Sequence, residues 1–414
     1  MSAGTGTPRV LIAAENASVR FGGEAILPYH YFRLLRARGV DAHLIVHARC
    51  QAELQTLFPE DRERLHFVVD QPLQKLFFKL GRALPRRLDE ATLGLANQML
   101  TQYAERSVIQ RLAGTSTAGC VLHQPIPVSP RTPSMLHGLG IPLVVGPLNG
   151  GMEYPQAFLR QESLPSRIAI GIARSFTDFG NAIFPGKRLA EVVLVANQRT
   201  HDALPSGLRG RVQHLAENGV DLARWQPMPR TMADGPRFLF VGRLVDWKAL
   251  DLALEALVRV EGASLDIIGD GPMREPWQQR ARELGLADRV QFHGWLSQDA
   301  CATHLARACA LVLPSLFECG GAVVLEAMAM QRPVIATAWG GPLDYLDATC
   351  GILVPPTSRE AVITGFADAM RRLAASPELC TSMGTAGRSR VLKHFDWERK
   401  IDAILDVYDS TLTN

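Results

Sequence analysis

The stretch from Leu311 to Thr337 constrains this chain more than any other. It reads as strand, loop, helix, strand. Leu311, Val312 and Leu313 form a short apolar run closed by Pro314, the pattern of a strand buried on both faces of a parallel sheet. Gly320 and Gly321 stand where a helix should begin, Ala322 to Met330 contains good helix formers, and Pro333 opens the next strand. Two carboxylates lie on this unit with seven residues between them, Glu318 on the loop and Glu326 in the early helix. Free amides near 320–322 would point beyond the strand ends, where helix starts hold phosphates. A carboxylate just inside the helix can accept hydrogen bonds from a ribose diol, so the unit suits a nucleoside diphosphate held at both ends.

The rest of the chain repeats the alternation. Apolar strand runs begin at Arg9, Ala42, Leu65, Gly119, Pro142, Val192 and Val212, and a second set begins at Phe238, Leu265, Val290, Leu311 and Gly351. Helical stretches separate them. A chain of 414 residues is too long for one ordinary core. Two successive sets of alternating strands and helices predict two doubly wound, Rossmann-like parallel-sheet domains facing across a cleft. The first is expected over 1–222 and the second over 237–395, with the three-proline stretch 226–236 as linker. A last helix, about 396–414, carries Trp397, Ile401, Ile404, Leu405 and Tyr408 at helical spacing.

Further candidates fall at strand ends, where open α/β sheets carry ligands. Gly22 and Gly23 follow the first strand and let backbone approach a diphosphate closely. They are not part of a G-x-G-x-x-G fingerprint, which argues against a dinucleotide site. His123 ends a strand before a proline-rich loop, and Asn149 and Gly150 lie in a glycine-rich loop after the next strand. Arg243 and Lys248 flank a loop after the first strand of the second domain; both can reach one diphosphate, Arg as a fork and Lys as a point charge.

The chemistry this suggests is displacement at a sugar carbon with a nucleoside diphosphate leaving. Cations and a helix start would stabilise the charge that develops on the leaving group. No Asp-x-Asp pair is present to hold a divalent metal, and no cysteine or histidine cluster has zinc spacing, so no metal is expected. A net charge of +3 without a concentrated basic face gives no reason to expect a nucleic-acid partner. The seven cysteines form no C-x-x-C pair, and free thiols in a cytoplasmic setting are expected. The small, polar start Met1 to Pro8 is unlike a signal peptide, and no apolar run reaches the ~18 residues of a membrane span. The stretch Leu73 to Leu88 interleaves apolar residues with Lys75, Lys79, Arg82, Arg86 and Arg87, a composition that can lie on anionic lipid, although Pro85 interrupts it. Arg160, Arg167, Arg174, Lys187 and Arg188 mark a second such surface.

These residues resemble those of retaining glycosyltransferases with the GT-B fold, specifically glycosyltransferase family 4. Glu318 to Glu326 is similar to that family's E-x7-E element. Arg243 and Lys248 match its phosphate-binding cations, Asn218 to Asp221 its interdomain segment, Gly22-Gly23 its donor loop, and His123-Gln124-Pro125 its His-containing strand end. The resemblance implies a metal-independent transferase that needs no cofactor and uses a UDP- or GDP-linked sugar. The acceptor would be a glycan or a lipid-linked molecule, in bacterial polysaccharide or glycoconjugate assembly. It implies that Arg243 and Lys248 neutralise the diphosphate, while Gly320, Gly321 and Ala322 offer it backbone. Glu326 would bind the ribose, and Glu318 and His123 would approach the sugar. It further implies a last helix packed back on the first domain. Cys319-Gly320-Gly321 and Asp344 depart from the family's commoner residues. The alternatives are an epimerase or phosphorylase of the same fold, or a silent scaffold.

Overall fold

The computed structural model describes residues 8–81, 92–114, 117–161, 180–229 and 235–413. The chain divides into two compact units. One comprises Met1–Gly151, Ser163–Glu217 and Lys400–Asn414; the other comprises Met152–Glu162 and Asn218–Arg399.

The first unit is built on β1 (Arg9–Ala13), β2 (Asp41–His47), β3 (Leu65–Val68), β4 (Cys120–Gln124), β5 (Leu143–Leu148), β6 (Val192–Val195) and β7 (Arg211–His214). They form one seven-stranded sheet in the order β3-β2-β1-β4-β5-β6-β7, with every pairing parallel. The central strands are apolar on both faces because helices such as Ile26–Ala37 and Leu93–Ala113 pack against the sheet, and Val10 to Ala13 are sealed from solvent.

The second unit carries β8 (Arg237–Val241), β9 (Ser264–Ile268), β10 (Val290–Gly294), β11 (Ala310–Leu313), β12 (Val334–Thr337) and β13 (Gly351–Val354). Their order is β10-β9-β8-β11-β12-β13, again all parallel. The order reverses between β8 and β11. Loops leaving the carboxyl ends of these two neighbours diverge to opposite faces, and the crevice between them is the ligand position of such sheets. Arg243 and Lys248 follow β8; Glu318, Gly320 and Gly321 follow β11.

The two compact units do not follow the expected bounds residue for residue. The boundary at 222 moves to Glu217, and Met152–Glu162 leaves the first unit for the second. The Trp339 indole donates to the Glu153 carbonyl at 2.8 Å and the Tyr154 ring packs on Phe317, contacts that sequence distance conceals. The first long helix after β8 begins at Leu250, because Ala249 adopts a left-handed conformation with φ 48°. Lys248 therefore ends a short 3₁₀ turn, Asp246–Lys248, and stays on the loop. The described residues on either side of 82–91 form the helices Pro72–Gly81 and Leu93–Ala113. Arg82, Pro85, Arg86, Arg87, Arg167, Arg174 and the side chain of Arg160 lie outside the described residues. Lys400–Asn414, most of the last helix (Trp397–Leu412), belongs to the first unit, where Arg38 pairs with Asp402 at 2.6 Å.

Candidate active site

In the second unit, the loop after β8 is clamped on both sides. Leu244 donates its amide to the Asp270 carbonyl at 2.9 Å, and Met273 donates to the Leu244 carbonyl at 3.0 Å. Backbone comes so close that a Cβ on Gly269, whose φ is 130°, would lie 1.9 Å from the Gly242 carbonyl oxygen. On the other side the Leu316 amide donates to the Trp247 carbonyl at 2.9 Å, tying this loop to the one after β11. The result is a fixed platform beyond the carboxyl ends of β8 and β11.

Lys248 and Glu318 meet on that platform. Their ammonium and carboxylate form a direct ion pair, 13% and 12% exposed, and the Ser315 hydroxyl lies 3.4 Å from the same carboxylate oxygen. Water is mostly excluded, yet the pair is reachable, so an arriving anion can compete with Glu318 for the ammonium. Beside it the chain turns through Gly321, with φ 82° and ψ 58°, into the helix Ala322–Ala329. That left-handed turn needs glycine; a Cβ there would also crowd the Glu318 side chain at 3.1 Å. No side chain caps the helix start; the Val324 amide donates to the Gly321 carbonyl at 2.9 Å, and the two amides before it have no side-chain cap. Arg243 is exposed on the same loop, and among the described residues its guanidinium has no ion-pair partner.

Glu326 lies a turn further along this helix and is half-buried. Burial pushes its carboxyl up to about 7, partly opposed by the Arg224 guanidinium. Near neutral pH it can therefore either donate or accept a hydrogen bond. Burial, reinforced by this carboxyl, pushes the neighbouring Cys301 thiol up to about 11.

A second glycine turn escaped the sequence reading. After β12, Trp339, Gly340 and Gly341 lead into the short helix Gly341–Tyr345. The Gly341 amide donates to the Glu318 carbonyl at 2.7 Å, and a Cβ on Gly341 would lie 2.1 Å from the Gly320 carbonyl oxygen. This turn holds the Glu318–Gly321 loop in place. Its signal was available: Gly-Gly-Pro after a strand echoes Gly320-Gly321 after the previous one.

The candidates of the first unit behave differently. Gly22 and Gly23 are exposed after β1 with φ 66° and 58°. His123 is fully buried, its Nε2 2.7 Å from the Gly146 carbonyl and its Nδ1 2.7 Å from the Tyr408 hydroxyl. One ring nitrogen donates and the other accepts, so both are engaged within the first unit. Burial brings the imidazole down to about 4. Asn149 is likewise enclosed, donating to Glu217 at 2.5 Å and accepting from Asn197 at 3.2 Å. Gly150 packs under Pro130, where a Cβ would lie 2.6 Å from the proline ring. Both acceptor-side candidates are thus enclosed within the first unit in this structure.

Residues 226–390 match the family model described as "Glycosyl transferases group 1". A relative from Rhizobium meliloti strain 1021, a lipopolysaccharide core biosynthesis glycosyltransferase, is 33% identical over 181 residues, 44% of this chain and 52% of its own. A GDP-mannose-dependent alpha-(1-6)-phosphatidylinositol monomannoside mannosyltransferase from Mycolicibacterium smegmatis is 32% identical over 234 residues, 51% of this chain and 60% of its own. These matches span about half the length of the curated relatives. In three dimensions the chain is similar to Anabaena HepE in complex with UDP, with TM-score 0.66, 16% identity and coverage of 97% and 100% of the two chains. At that identity the likeness speaks for the fold, the two-Rossmann-unit arrangement of GT-B glycosyltransferases.

Proposed function

On the strength of its group 1 glycosyl transferase segment, residues 226–390, we propose that this chain moves a sugar from a UDP- or GDP-linked donor to a glycan or lipid-linked acceptor, with retention at the anomeric carbon. The observation that carries the reading is the convergence of Lys248, Glu318 and the uncapped helix start at Gly321 on one fixed platform. The HepE structure contains UDP, and the mycolicibacterial relative is named for GDP-mannose, so either base is compatible.

In this reading the diphosphate lies between Lys248, Arg243 and the amides of Gly320 to Ala322, and Glu326 binds the ribose. The bond from the anomeric carbon to the β-phosphate oxygen breaks, and its electron pair stays on the phosphate. The acceptor oxygen bonds to the same face of that carbon, and its proton passes to the departing phosphate oxygen. Cations and amide dipoles stabilise the developing charge, so no divalent ion is required at the phosphates. Glu318 positions Lys248 and borders the transferred sugar. The chain works in bacterial polysaccharide or glycoconjugate assembly, in the cytoplasm.

Membrane contact belongs to the same proposal. The helix Pro72–Gly81 buries Gln74 and leaves Leu73, Leu76, Phe78 and Leu80 exposed beside Lys75 and Lys79. An anionic lipid surface would cover that inverted face. Among the described residues, no helix is long and apolar enough to cross a membrane.

A panel of UDP- and GDP-sugars tests the reading, with binding followed by thermal shift and turnover by nucleotide release without added Mg²⁺ or Mn²⁺. Binding of one nucleotide class and a product of unchanged anomeric configuration by NMR are expected. No nucleotide binding would overturn the assignment, and an inverted product would overturn retention.

A further inference from the structure

We infer that Asp266, His293 and His304 form a binding site for one zinc-class divalent ion, separate from the diphosphate platform. Asp266 lies on β9, His293 on β10, and His304 in the helix Gln298–Arg307. The fold thus joins three elements that sequence spacing keeps apart, which is why no metal motif was visible. His293 Nε2 is 3.0 Å from one Asp266 carboxylate oxygen, and His304 Nδ1 is 3.3 Å from the other. The three ligand atoms lie within 4.8 Å of one another, and the two rings lean together with centroids 4.4 Å apart. Bonds of about 2.0–2.2 Å in a tetrahedron place neighbouring ligand atoms about 3.3 Å apart. The site is thus close to ion-sized before any rearrangement.

The donor set decides the class of ion. Two imidazole nitrogens and one carboxylate suit zinc and its neighbours, whereas Mg²⁺ and Ca²⁺ prefer oxygen. The Asp266 side chain is 3% exposed and the two histidines 16% and 20%, so the carboxylate is anchored while the imidazoles face an approach route. Arg237 donates to Asp266 at 3.2 and 3.3 Å, orienting the carboxylate as outer partners of metal ligands do. His304 is in the last turn of its helix, where the dipole favours a cation. With three protein ligands, a fourth position is left for water. The ion would pin β10 to the following helix and fix the intervening turn, which carries the exposed Trp295 beyond the strand's carboxyl end.

Zn²⁺ is titrated into the full chain against a chromophoric chelator, and Co²⁺ is used as a spectroscopic probe. One equivalent should bind, raise the melting temperature, and give a visible nitrogen–oxygen Co²⁺ spectrum without thiolate charge-transfer bands. Mg²⁺ should do none of this. His293→Ala and His304→Ala should each weaken Zn²⁺ binding about tenfold or more. His304→Gln keeps a donor for Asp266 but supplies a poor ligand, so it should preserve the fold by circular dichroism and still lose the ion. UDP or GDP binding in these variants is read in parallel and should persist, which separates this site from the proposed transferase. Absence of stoichiometric binding, thiolate bands, or undiminished affinity in both alanine variants would overturn the inference.

Discussion

The carboxyl ends of the two sheets carry polar residues of similar kinds, but the two units use them in opposite ways. Beyond β8 and β11, Lys248 and Glu318 are paired and still reachable, Arg243 is exposed, and Gly321 opens an uncapped helix. At the carboxyl ends of β4, β5 and β7, His123, Asn149 and Glu217 are buried and hydrogen-bonded within the first unit. The last helix contributes Tyr408 and Lys400 to that interior; Lys400 donates to the Glu217 carbonyl, and burial brings its ammonium down to about 7. A strand-end position alone therefore does not decide how open a polar group is. What separates the two is whether the polar group's hydrogen-bonding capacity is consumed internally.

The sharpest test of that contrast is Lys248→Ala. If Lys248 stabilises a leaving diphosphate, kcat/KM should fall about 100- to 1,000-fold, as when one preorganised donor is removed from a developing anion. Initial rates of nucleotide release across donor concentrations would measure it. A loss below about threefold would show that the platform is only structural.

The next test sets the two regions against each other in pH. Glu326 has a folded value near 7, above an ordinary glutamate, so the folded chain holds the proton more tightly. Its contribution to stability is therefore lost as pH rises from about 4.5 through 7. His123 is held near 4, below an ordinary histidine, so its contribution is present above about 6.5 and lost as pH falls toward 4. Each effect is on the order of 2–3 kcal/mol, read from denaturant unfolding at several pH values. Glu326→Gln should flatten the first dependence and raise stability at pH 8, while weakening nucleotide binding about tenfold. His123→Gln should flatten the second and leave nucleotide affinity unchanged.

A smaller effect is expected for Tyr408→Phe, which removes the hydroxyl facing His123 Nδ1. Loss of this buried bond should cost about 1 kcal/mol of stability. The Kd for nucleotide should not move. A fall in kcat at unchanged stability would instead place His123 at the reacting centre.

Much of the second unit was legible because its signals are local. Pro314, Gly320-Gly321 and Pro333 punctuate strand, turn and strand at short range, and the apolar runs around them are too continuous for half-exposed strands. The convergence of Lys248 on Glu318 was also within reach, since both follow strands that neighbour each other in a doubly wound order. What the sequence concealed was pairing over distance. The Tyr408 hydroxyl meets a histidine 285 residues earlier, and Trp339 reaches back 186 residues to Glu153. No periodicity encodes such contacts. The Asp266–His293–His304 cluster was hidden for the same reason, because its spacing matches no short motif.

The smallest expected effect lies on the helix Pro72–Gly81, where the first unit turns its usual pattern inside out. A helix packed on its own domain buries leucine and exposes glutamine. Here Gln74 is buried, donating to the Thr101 hydroxyl at 3.0 Å, while Leu76 and Phe78 are 50% and 67% exposed. The buried glutamine fixes which face points outward, so the apolar face is not free to rotate inward. Replacing Leu76 and Phe78 together by serine should therefore leave the melting temperature within about 2 °C, because exposed side chains contribute little to folding. Co-sedimentation with vesicles containing anionic lipid should nevertheless fall severalfold, with charge reversal of Lys75 and Lys79 adding to the loss and raised salt imitating it. Unchanged sedimentation of the serine variant would break the assignment of this face to lipid, and it would leave the platform beyond β8 and β11 untouched.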